Sequence, residues 1–87
     1  MKKLEMLKEI MEVNSIVNEK EIKTISKEFN LKNQSVEQLA QIRKDVIIYC
    51  SDIKMEARMN GDWKTFDIYN NLSSKICAVI EREIYNR

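Results

Sequence analysis

Apolar residues recur every three or four positions along nearly the whole chain, with charged and amide residues between them. That period is the signature of amphipathic helices. Leu4, Leu7, Ile10, Met11 and then Val13 or Asn14 keep the spacing, which predicts a first helix over about 2–17, breakable at Asn14-Ser15. Asn18-Glu19-Lys20-Glu21 reads as a capping box, in which the Asn oxygen takes an orphan backbone N–H and the Glu reaches back to the start. A second helix follows over about 19–29, with Ile22, Ile25 and Phe29 inward and Asn30 suited to the left-handed residue that ends it. Ser35-Val36-Glu37-Gln38 is a second capping box and opens a helix over about 36–59. Val36, Leu39, Arg43, Val46, Cys50, Ile53 and Ala57 line one side of it. Asn60-Gly61 contains the only glycine and makes a stop, and Asp62 is a good N-cap for a last helix over about 63–86. The expected fold is all-α: two shorter N-terminal helices, then a long antiparallel helical hairpin whose arms are each roughly 36 Å long.

The turn at Asn60-Gly61-Asp62 sets the hairpin register. Residues whose numbers sum to ~121–122 should lie side by side, at a rise of about 1.5 Å per residue. Val46 then meets Ile76, Cys50 meets Leu72, Ile53 meets Tyr69, and Leu39 meets the stretch from Val79 to Ile84. Cys50 and Cys77 are offset by ~8–9 Å along the axis, beyond easy disulfide reach, and read as two reduced core thiols. Two antiparallel helices cannot enclose a core alone. Ile42, Ile47, Ile48, Tyr49, Ile68 and Ile80 lie off the seam, so helices 1 and 2, or a second copy in a homodimer, must cover them.

Composition narrows the function classes. With 87 residues the chain is one domain, 1–87. Proline is absent, and 15 basic against 14 acidic residues leave a net charge of +1. No global field draws it to nucleic acid or an anionic membrane. The longest apolar run, Val46 to Cys50, falls far short of the ~18 residues of a membrane span. Charges interrupt the N-terminus too early for a secretory signal, so a reducing cytoplasm is the expected location. Without histidine, with two cysteines and with one glycine, the sequence offers no metal site, no neutral-pH base and no phosphate loop. We therefore expect no catalytic residues, no cofactor and no small-molecule substrate.

The segment from Ile22 to Leu39 has the spacing of a helix-turn-helix within a head over about 1–45. Ser26 is the small residue where two helices cross, Asn30 tolerates the turn, and Ile25, Phe29, Leu31, Val36 and Leu39 face inward. Lys32-Asn33-Gln34-Ser35-Val36-Glu37-Gln38-Leu39 resembles the start of the recognition helix in the lambdoid phage repressor and Cro family, where some members carry Gln-Gln-Ser-Ile-Glu-Gln-Leu. The resemblance implies a phage-like, homodimeric transcription regulator on double-stranded DNA. Asn33, Gln34 and Gln38 would read base edges, as Asn and Gln do with adenine, and Lys32 and Ser35 would position the backbone. It spans about 18 residues. The chain departs from the family in having Asn30 for the turn glycine, a third helix that runs on, and a hairpin for the remaining helices. Ordinary packing of two capped helices accounts for the same apolar positions.

A second cluster, Met55, Met59, Trp63 and Phe66, gathers around the hairpin tip. Methionine and aromatic side chains make adaptable contact surfaces for another protein. The other expectation is that they pack on helix 1 or 2 and close the end of the bundle. The two functional readings are thus a DNA-binding regulator and a non-enzymatic inhibitor or adaptor that binds protein alone.

Overall fold

The structure, a computed structural model, describes residues Met1–Arg87. Four α-helices and one 3-10 turn make up the chain: α1 (Lys2–Ile10), α2 (Glu19–Glu28), the turn (Leu31–Asn33), α3 (Val36–Met59) and α4 (Trp63–Tyr85). There is no strand, and no helix is long and apolar enough to cross a membrane.

α3 and α4 form the main packing unit, and their length accounts for the long axis of the 40 × 24 × 21 Å molecule. Local chemistry sets the corner. Gly61 takes φ +69°, the Gly61 N–H donates to Arg58 O at 3.2 Å, and the Asp62 N–H donates to Ala57 O at 2.8 Å. These are the two bonds of a Schellman stop. Asp62 then caps α4 by accepting the Thr65 N–H and hydroxyl.

Across the hairpin Arg43 pairs with Glu81 at 2.8 Å, and Lys54 donates to Asn70 at 3.2 Å. α4 therefore runs back along α3. These contacts join residues whose numbers sum to ~124, slightly above the value read from the turn, and the direction of side chains accounts for it. Each leans toward the N-terminus of its own helix, which is away from the corner on α3 and toward it on α4, so contacting residues lie about one position further C-terminal on each arm. Cys50 and Cys77 are both buried and free. Burial pushes the Cys50 thiol up to about 11 and raises that of Cys77, so both stay protonated and inert near neutrality.

α1 is shorter than its periodicity predicts. The helix expected to reach Val17 ends at Ile10, and Met11 is already extended. The cause lies far away in sequence. The Glu12 N–H donates to Glu21 Oε2 at 3.0 Å, and Glu12 O accepts Lys75 Nζ at 2.7 Å. Both backbone groups are drawn out of any helical ladder. Ile10, still within α1, and Val13, beyond its end, are both expected inward and both face solvent.

Two polar clusters fasten the N-terminal layer to the hairpin. In the first, Lys75 Nζ also bonds both Glu21 oxygens, at 3.1 and 2.9 Å, and Glu21 accepts the Asn18 N–H that closes the α2 capping box. Both side chains are almost wholly buried. Burial alone would raise the Glu21 carboxyl, but Lys75 and the two backbone donors together hold it below its ordinary value. In the second, Glu5 of α1 accepts the hydroxyls of Tyr49 on α3 at 3.0 Å and of Tyr69 on α4 at 2.7 Å, with Lys8 alongside at 3.1 Å. No buried side-chain polar atom lacks a partner.

Between these ties Leu4, Leu7, Ile25, Phe29 and Leu31 close onto Leu39, Val46, Ile76 and Ile80 in one core. The apolar residues expected to need covering are thus mostly covered from within. Ile80 is fully buried, and Ile42, Tyr49 and Ile68 pack against the core. Ile47 and Ile48 remain outside.

Candidate interaction surfaces

At the base of the hairpin, Asn30 adopts the left-handed conformation (φ 50°, ψ 47°) and Leu31–Asn33 form the 3-10 turn. The connection between α2 and α3 therefore runs from Phe29 to Ser35, about twice the 3–4 residues of a helix-turn-helix turn. α2 packs on α4 and on the 3-10 turn. Ser26 is half-buried beside that turn.

Lys32, Asn33, Ser35 and Gln38 are exposed, and Gln34 is half-buried. Their amide and hydroxyl groups are engaged locally. Asn33 Nδ2 donates to Asn30 Oδ1 at 2.7 Å, and Gln34 Nε2 to Phe29 O at 3.3 Å. Gln38 Oε1 accepts the Ser35 N–H at 2.7 Å, while Ser35 Oγ accepts the Gln38 N–H, completing the α3 capping box. Bidentate reading of adenine takes both the oxygen and the nitrogen of an amide. Gln38 can offer both only by loosening its cap. Arg87 braces the same region from the other end of the chain, donating to Leu31 O at 2.9 Å.

Beside this turn lies a feature that counting charges along the chain misses. An open concavity of about 500 Å³ is bordered by Lys23, Ser26, Lys27, Asn30, Lys32 and Asn33, with no carboxylate in its lining. The four ion pairs of the molecule engage Lys8, Arg43, Lys75 and Arg87, so these three lysines are unpaired. In sequence they interleave with Glu19, Glu21 and Glu28. Folding separates them, because Glu21 turns inward to Lys75 and Glu19 and Glu28 stay outside the lining. The helical phase of α2 was the available signal.

At the tip the alternative of a closed bundle end is not realised. Met55, Met59 and Trp63 are 62%, 80% and 55% exposed. Phe66 is half-buried, with Trp63 against it edge-on at 5.5 Å between centroids and Lys54 Nζ 5.7 Å from its ring centre, so it buttresses Trp63. Ile48, 50% exposed, lies two helical turns before Met55 and extends the patch along the outer face of α3. Ile48 is not among the tip residues read from the sequence, although its spacing from Met55 and Met59 was a signal available without the fold. By the same period Lys44 and Arg58 border the stripe on one side, Asp52 and Glu56 on the other.

No group of three or more His, Cys, Asp or Glu side chains is placed to hold a metal ion. No protein-family model, curated protein or solved structure matches the chain.

Proposed function

We propose that this chain is a non-enzymatic helical adaptor or inhibitor that docks another protein on the outer face of α3 and the hairpin tip. The observation that carries this reading is the exposure of Ile48, Met55 and Met59 on the side of α3 away from its buried Val46, Cys50 and Ala57, with Trp63 exposed at the start of α4 beside the same corner. Exposed large apolar residues gathered in this way mark interaction sites, and Trp and Met supply anchor and adaptability. Phe66 supports the anchor from beneath.

An antiparallel two-fold pairing of α3 stripes between two copies of this chain would set the Lys44–Arg58 edge against itself and the Asp52–Glu56 edge against itself, and that like-charge juxtaposition costs affinity. A different protein can complement both edges at once.

The test substitutes Met55, Met59 and Trp63 with Lys together. A partner captured from cell extract, then purified, should bind the native chain one-to-one and lose at least 100-fold in affinity with the triple variant. It should bind a Lys23→Gln, Lys27→Gln, Lys32→Gln variant normally. Capture indifferent to the tip substitutions contradicts the reading. So does a native dimer in sedimentation that the same substitutions split into monomers.

A second reading is the DNA-binding regulator that the resemblance implies. It is favoured by the exposure of Lys32, Asn33, Ser35 and Gln38 together at the start of α3. Gln34→Ala with Gln38→Ala should then abolish sequence preference and leave the fold intact.

A further inference from the structure

We propose that the concavity between α2 and the 3-10 turn is a phosphate-binding site, shaped for the sugar-phosphate backbone of nucleic acid and independent of base sequence. Lys23, Lys27 and Lys32 supply the charge, and Ser26, Asn30 and Asn33 supply short polar side chains between them. The proposal does not rest on the docking reading, since none of these residues belongs to the α3 stripe. It differs from base reading by α3 in using contacts that position a strand without reading it.

The arrangement of charge carries the argument. In a chain of net charge +1, three cations without carboxylate partners border one depression. Most lysines on a solvated helix face alternate with acids, and here Glu21 is held in the core by Lys75 while Glu19 and Glu28 do not line the depression. Lys23 and Lys27 stand one helical turn apart, ~6 Å along α2, and Lys32 faces them from the 3-10 turn. The site is therefore an open depression with its charges spread around the rim. An enclosed anion pocket would gather its donors around one point. Charges so spread suit successive phosphates of one strand, which attract ammonium groups as point charges.

Asn30 is held left-handed and bonds Asn33 across the rim, so the rim is preformed. Arg87 lies against the backbone of Leu31 and Lys32, with its charge shared with Glu83 at 3.4 Å.

The experiment is a fluorescence-anisotropy titration of the full chain with a random-sequence 20-base-pair duplex, over a range of salt. Three phosphate contacts predict a slope of log K against log salt of about −2 to −3, and roughly a 40-fold loss of affinity from 50 to 200 mM salt. The Lys23→Gln, Lys27→Gln, Lys32→Gln variant should bind at least tenfold more weakly. A variant with the same charge change elsewhere, Lys44→Gln, Arg58→Gln, Lys64→Gln, should stay within threefold. All six side chains are exposed, so both variants should fold, which circular dichroism checks. A parallel arm follows backbone amide resonances of Lys27 and Asn33 with inorganic phosphate alone. Phosphate shifts without duplex binding identify a free phosphate as the ligand of the same site. Equal weakening by the two variants, or no response to either duplex or phosphate, overturns the proposal.

Discussion

The two ends of the α3–α4 hairpin are built from the same kinds of residue and finished in opposite ways. At the base, α1, α2, the 3-10 turn and Arg87 close over the helices, no buried side-chain polar atom lacks a partner, and three unpaired lysines border the concavity beside the turn. At the tip nothing closes over them. The corner is stopped and capped by its own backbone, and Met55, Met59 and Trp63 point outward. The difference teaches where to look for work done by the surface. The first 35 residues cover one side and one end of a hairpin that cannot enclose a core alone, and among the apolar positions they leave bare Ile48, Met55 and Met59 share one side of α3.

The comparison breaks most readily at the base. Glu21→Gln or Lys75→Met leaves a buried group without its charge partner, and should cost about 3–5 kcal/mol in chemical denaturation. Replacing both residues with apolar ones should not restore the loss, because Glu21 also satisfies the backbone N–H groups of Glu12 and Asn18. Acid should act at the same end. Glu21 and Glu5 are held below their ordinary values, so their contribution is present above about pH 4.5 and is lost as the pH falls through their lowered folded values. Amide exchange of α1 and α2 should accelerate before that of the α3–α4 corner.

Next in size is the shared core. Leu39→Ala, at a fully buried position, should cost roughly 2–5 kcal/mol. Gly61→Ala tests the corner itself. A Cβ there meets nothing within 4 Å, so the cost of about 1 kcal/mol comes from φ +69° alone. The smallest effect sharpens the contrast most. Met55→Ser with Met59→Ser should change thermal stability by no more than about 0.5 kcal/mol per site, because both side chains stand largely in solvent.

The legible parts of the fold are those encoded locally. Ser35 with Gln38, Asn18 with Glu21, and Asn60-Gly61-Asp62 mark their boundaries within four residues, and α3 and α4 begin where these signals stand. The end of α1 was not legible, because the groups that unwind it, Glu21 and Lys75, are remote from it in the chain. Lys75 did carry a signal: three residues after Leu72 and four before Val79, it sits on the apolar side of α4. Nothing local says that a lysine there turns inward, since that needs Glu21 opposite. The tip cluster was visible as Met55, Met59, Trp63 and Phe66, but whether it packed or stood free depended on where α1 and α2 lie. The lysine concavity was hidden by near-neutral charge along α2, which separates into faces only once the helix is docked.

Trp63 is the chain's only tryptophan and stands at the tip end of the proposed docking surface, so its emission tests that surface without a label. In the saturated complex with the captured partner, the account predicts a blue-shifted spectrum and protection from acrylamide quenching, with no such change on adding duplex DNA. Emission that stays red-shifted and freely quenched in that complex would contradict it.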